Sequence, residues 1–216
     1  VVSYRMPVSQ STSLAADFSA EYGTRKYSAL GWYDARTPMP DNYRYLPGYT
    51  GDRETEQAWR AGDARYTQID WDELIAQNRM AAGHAVYALE DRAERLGDLN
   101  FSALFTTALD ARLTLRYGLV LRHARSRNYK QMRDLLGAEY ITDIDQYLVD
   151  DDTYSNLLQN DLRRPDRTIR KGGRFGYDYA LTTRRADARL HAEYRSDRFR
   201  ADLVLLLCAA AFLGRG

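Results

Sequence analysis

Cysteine occurs once, at Cys208, so no internal disulfide framework is available to hold this chain together. Lysine is nearly missing, confined to Lys26, Lys130 and Lys171, which leaves arginine as the basic residue. The longest apolar run, Leu203 to Leu213, is too short for a membrane-spanning helix. No signal peptide opens the sequence, and it does not begin with Met, which predicts a fragment. Excess charge is also lacking. The net value is +1, so bulk charge selects no polyanionic partner. A chain without a spanning helix is either soluble or enters a membrane as strands. Its 44% hydrophobic content is too high for disorder. Tyrosine is abundant, 17 against 6 Phe. A ring with a polar tip is wanted where strands cross a water–lipid interface, although a tyrosine-rich soluble β-protein would use it too.

The clearest pattern runs from Leu99 to Arg125. Leu113, Leu115, Tyr117, Leu119 and Leu121 share one face of an extended arm. Arg112, Thr114, Arg116, Gly118 and Arg122 share the other, with Val120 the only intruder. Upstream, Leu99, Phe101, Ala103 and Phe105 alternate with Asn100, Ser102 and Thr106. A period of two belongs to a strand whose faces meet different surroundings. The link Ala108-Leu109-Asp110-Ala111 is short enough to close a hairpin. Eleven residues at roughly 3.3 Å each, tilted by about 45°, cover about 25 Å, the height of the apolar band on a membrane barrel.

The same alternation predicts strands over about 1–6, 14–32, 84–107, 112–126, 174–194 and 199–207. In 174–194 the apolar parity changes, from Phe175, Tyr177, Tyr179 and Leu181 to Ala186, Ala188, Leu190, Ala192 and Tyr194. That change predicts a bulge between Thr182 and Asp187, with a turn at Arg195 to Arg198. Two long connections, 33–83 and 127–171, interrupt the strands. The first holds Pro38, Pro40 and Pro47, and predicts helices over 53–61 and 70–82, the second capped by Asp70 and ended by Gly83. In the second connection Asn128 to Leu136 predicts a short helix closed by Gly137. Connections therefore alternate short and long. The expected fold is all-β: an antiparallel transmembrane β-barrel segment of about six strands, an open curved sheet if alone, with two long loops carrying short helices.

Several segments resemble TonB-dependent outer-membrane receptors. They are Asn128 to Ala138, Asp143 to Tyr147, Gln159 to Arg163, Arg174 to Tyr179, Gly31 to Ala35, and Gln77-Asn78-Arg79-Met80, in the family's order and covering most of 14–203. The resemblance implies a 22-stranded barrel around an N-terminal plug, energised from the inner membrane through TonB. It implies an outer-membrane location, contact with outer-membrane lipid, a nutrient ligand and, for some members, a surface lipoprotein lid. Nothing in 1–216 resembles the plug, so the chain is expected to be a partial barrel domain, meeting the TonB complex through a missing N-terminal part. Leu203 to Gly216 turns aliphatic where an amphipathic strand is expected, which suggests a truncated or frame-shifted end.

No catalytic, cofactor or metal site is expected. His84, His123 and His191 lack metal-spaced partners. Asp143, Asp145 and Asp150 to Asp152 suggest a cation loop, but Tyr147 and Leu148 stand where a ligand and a glycine are needed. Lys171 to Gly176 is glycine-rich without phosphate-loop spacing and is expected to be a turn. The Arg-rich stretch 184–200 is interleaved with Asp187, Glu193, Asp197 and Asp202, which points to a lumen or rim face rather than nucleic acid. The function expected is part of the wall of a receptor that binds and imports a ligand across the outer membrane, with no covalent chemistry. The alternative is a soluble β-domain presenting its long loops to a glycan or protein.

Overall fold

The computed structural model of the protein describes residues 1–33, 35–145 and 158–216. Six strands form one antiparallel sheet: β1 (Val2–Pro7), β2 (Thr12–Trp32), β3 (Tyr87–Ala108), β4 (Leu113–Asp134), β7 (Arg174–Arg195) and β8 (Arg200–Arg215), in the order β1-β2-β3-β4-β7-β8. The sheet is not closed, since β1 and β8 each have a single neighbour. A second, two-stranded sheet pairs β5 (Ile141–Thr142) with β6 (Thr168–Ile169). Short turns join β1 to β2, β3 to β4 and β7 to β8. In the second of these, Asp110 Oδ1 accepts from the amides of Arg112 and Leu113, at 2.7 and 2.9 Å, and so fixes the hairpin.

Among its described residues the connection between β2 and β3 carries a 3-10 turn at Tyr43–Tyr45 and four α-helices: α1 (Pro47–Thr50), α2 (Arg53–Ala61), α3 (Ala64–Thr67) and α4 (Trp71–Met80). Asp52 caps α2 through the Thr55 amide, and Asp70 caps α4 through the Glu73 amide. The second long connection differs from expectation. Among its described residues there is no helix. Asn128 to Asp134 extends β4 instead, because the backbone of Met132 exchanges hydrogen bonds of 2.8 Å with Gly172 and Gly173. Sheet pairing outweighs the local helix preference of that segment. Gly137 sits at φ +90° in the turn that follows.

The expected bulge in β7 is also absent. Its register against β8 runs unbroken from Ala180↔Arg215 to Arg195↔Arg200. The left-handed residue of this strand is Gly176 (φ +69°), whose amide donates to Asp143 Oδ1 at 2.8 Å. Tyr179 and Leu181 therefore lie on the opposite face from Ala186, Ala188 and Leu190. The aliphatic end does not break the sheet either; β8 continues as a strand to Arg215.

The chain divides into two compact units. One comprises 1–25, 94–128 and 179–216; the other comprises 26–93 and 129–178. The second has ordinary apolar cores. Tyr33, Ala88, Met132, Ile141, Ile169 and Phe175 pack in one cluster, and Leu30, Leu74 and Tyr87 in another. The first has none. Its buried residues are Asp98, Ala180 and Glu193.

Candidate functional site

In the first unit the sheet is sorted by face. Register places Val2, Tyr4 and Met6 beside Phe18, Ala16 and Leu14. A 3.0 Å contact between the Thr12 and Thr107 hydroxyls carries that face to the odd-numbered residues of β3. Stacked rings of Phe105 and Tyr117, 5.3 Å apart, carry it to the odd-numbered residues of β4. The Arg116–Glu193 pair at 3.0 Å joins the reverse faces of β4 and β7. Ala188 and Leu190 therefore continue the apolar face, facing Leu207 and Leu205 of β8. Every strand contributes to it, yet nothing covers it. Leu119 is 41% exposed, Leu121 46% and Leu207 72%.

The reverse face is held by charge. Arg5 pairs with Asp17 at 3.1 Å, Arg122 with Asp98, and Arg185 with Asp187 at 2.8 Å. Glu193 gathers Arg116, Arg195 and Arg200. His191 Nε2 lies 2.9 Å from Asp202. The arginines of 184–200 are thus mostly neutralised, as their interleaved acids imply. Among the described residues Arg184 has no such acid beside it and belongs to the apolar face. On β8 the sorting fails: Val204, Leu206 and Phe212 lie on the charged face and are exposed.

In the second unit three buried polar side chains fasten the long connections. Asn78 lies one turn beyond Leu74, on the inward side of α4. Its Oδ1 accepts from the amides of Val86 (2.9 Å) and Tyr87 (3.0 Å). Its Nδ2 donates to the carbonyls of Tyr87 and Leu135, at 2.7 and 2.9 Å. Glu90 receives Lys130 at 2.7 Å, Arg92 at 2.9 Å and the Tyr33 hydroxyl at 3.3 Å. Burial and the Glu90 carboxylate push the Tyr33 phenol far above its ordinary range, so it acts as a permanent donor. Asp143 accepts from Gly176, Asn160 and Arg167. Each of these groups is satisfied within the protein, as a buried polar group must be.

Asn78 and Glu90 were not singled out by type in the sequence, and Asp143, read there as part of a suggested cation loop, instead accepts from Gly176, Asn160 and Arg167. Asn78, Asp143, Asn160 and Gly176 do sit within segments that carry the receptor resemblance, and in the structure they fix loop geometry. In the helical connection a cleft of about 910 Å³ is lined by Arg36, Tyr45, Tyr66, Glu73, Gln77 and Tyr87. The Arg36 guanidinium covers the Tyr45 ring at 3.9 Å.

His84 contacts the Thr142 hydroxyl at 3.2 Å, and His123 is exposed on the apolar face. No group of three metal-ligating side chains is assembled among the described residues. Of the suggested cation loop, Asp150 to Asp152, Tyr147 and Leu148 lie outside the described residues. Gly172 and Gly173 form a turn before β7. No described helix is long and apolar enough to cross a membrane. No protein-family model, curated protein or solved structure matches the chain.

Proposed function

We propose that this chain is a stretch of the wall of an outer-membrane β-barrel, of the TonB-dependent receptor kind, that takes part in binding and importing a ligand. The observation that carries the reading is the inverted first unit, where the sheet buries carboxylates and exposes leucines. In water such a face costs roughly 25 cal/mol for every Å² of apolar surface left uncovered. Against hydrocarbon the cost vanishes, while the ion-paired face suits a water-filled lumen.

Both sheet edges need partners, because unpaired backbone cannot be left in lipid. Further barrel strands beside β1 and β8 would supply them. The helical connection and the segment around β5 and β6 would form the external surface that captures ligand, with or without a surface lipoprotein. Coupling to TonB would fall to a plug that these residues do not include. Fractionation of cells that make the protein tests the reading. Recovery in the outer membrane, with migration on gels that changes on boiling, is the expected result. A monodisperse product, soluble without detergent, would favour the soluble binding module instead.

A further inference from the structure

All the acidic side chains on the strands of the first unit lie on its charged face. On the apolar face, among the described residues, there is no Asp or Glu. Its basic residues are Arg95, His123, Arg125, Arg127, Arg184 and Arg215, and each stands ten or more residues along its strand from the short turn. Random placement would scatter cations along the face and mix them with acids. Arg95, Arg125 and Arg184 are exposed and have no anionic partner among the described residues.

Next to this row the apolar face is hollowed by a groove of about 550 Å³. The hollow arises from size. Ala186, Ala209 and Ala211 form its floor, while Leu99, Phe101 and Leu121 stand beside them, and His123 and Arg184 occupy its rim. A groove walled by hydrocarbon with free cations at one end is complementary to an amphiphile with an anionic head.

We propose that this groove and the row Arg95, Arg125 and Arg184 bind an anionic membrane lipid, one whose phosphate headgroup carries net negative charge, with an acyl chain in the groove. The proposal rests on the reading of this face as lipid-facing. Guanidinium groups suit a phosphate, which they grip through paired N–H donors. Their height matches it as well. Arg125 lies four residues past Leu121, roughly 13 Å further along the strand and about 9 Å higher once tilt is included. That is the level of headgroups if Leu113 to Leu121 spans the hydrocarbon.

The test uses the full chain with Leu121→Trp as a reporter beside the groove, reconstituted in phosphatidylcholine vesicles. Either phosphatidylcholine or a minor fraction of phosphatidic acid is brominated, so that quenching reports which lipid sits against the reporter. The expected result is quenching by brominated phosphatidic acid well beyond its share of the bilayer. The preference should fall by about fivefold for each cation removed in Arg125→Gln and Arg184→Gln, and be retained in Arg184→Lys. Equal quenching by both lipids, in proportion to their amounts, would overturn the phosphate site and leave the wall reading intact. No quenching by either lipid would overturn both.

Discussion

At the scale of single residues, Asn78 is tightly constrained, since both the donor and the acceptor of its amide are used. Asn78→Asp keeps the acceptor and replaces the donor with charge facing two carbonyls. A buried group left unsatisfied costs about 1–3 kcal/mol, so the change is expected to cost about 3 kcal/mol or more. Amide exchange at Val86 and Tyr87 should then accelerate by about a hundredfold. Asp134 gives a pH dependence. Lys171 and the Leu136 amide hold its carboxyl below the ordinary range. The folded value is depressed, so the tether is fully present above the ordinary carboxylate pKa and is lost as pH falls through the lower value. Both side chains are largely exposed, which keeps its stabilising effect small. Carboxyl NMR titration should show Asp134 titrating low, and Lys171→Gln should move it part of the way back toward the ordinary range, with the Leu136 amide still holding it down.

At the scale of elements, β4 shows what pattern can and cannot reveal. Leu113 to Arg122 was legible because its two faces carry different side chains with a period of two, and the structure keeps every side chain of that arm on its expected face. Asn128 to Asp134 was not legible as strand. Its pairing with Gly172 and Gly173 comes from 40 residues downstream and leaves no local trace. Asn78 was hidden for the same reason, because its partners lie on β3 and beyond the end of β4. The parity change in β7 was visible, but not its resolution, since a strand can place apolar groups on both faces without an extra residue. Leu119 and Val120 make a sharp comparison here, being neighbours at 41% and 40% exposure on opposite faces. In a water-surrounded sheet, arginine at either position should have similar small effects. In a barrel wall Leu119→Arg should cost about 2–4 kcal/mol and Val120→Arg far less, as measured by unfolding from lipid vesicles. Gly118 adds a steric constraint. A Cβ there would stand 2.1 Å from the Ala103 carbonyl oxygen, so Gly118→Ala should destabilise the hairpin by about 1–3 kcal/mol in the same measurement.

At the scale of the whole molecule, a six-stranded sheet with two open edges and an apolar face without cover is expected to associate in water. Light scattering should show aggregation on removal of detergent, and lipid should suppress it. The most direct measurement is a cysteine scan of Leu113 to Arg122 in a Cys208→Ser background, with the protein in a bilayer. Each position is challenged with a membrane-impermeant maleimide. With Gly118 left unchanged, the expected result is labelling with a period of two: protection at 113, 115, 117, 119 and 121, and reaction at 114, 116, 120 and 122, which face the lumen. Uniform reaction along the arm would contradict a lipid-facing wall.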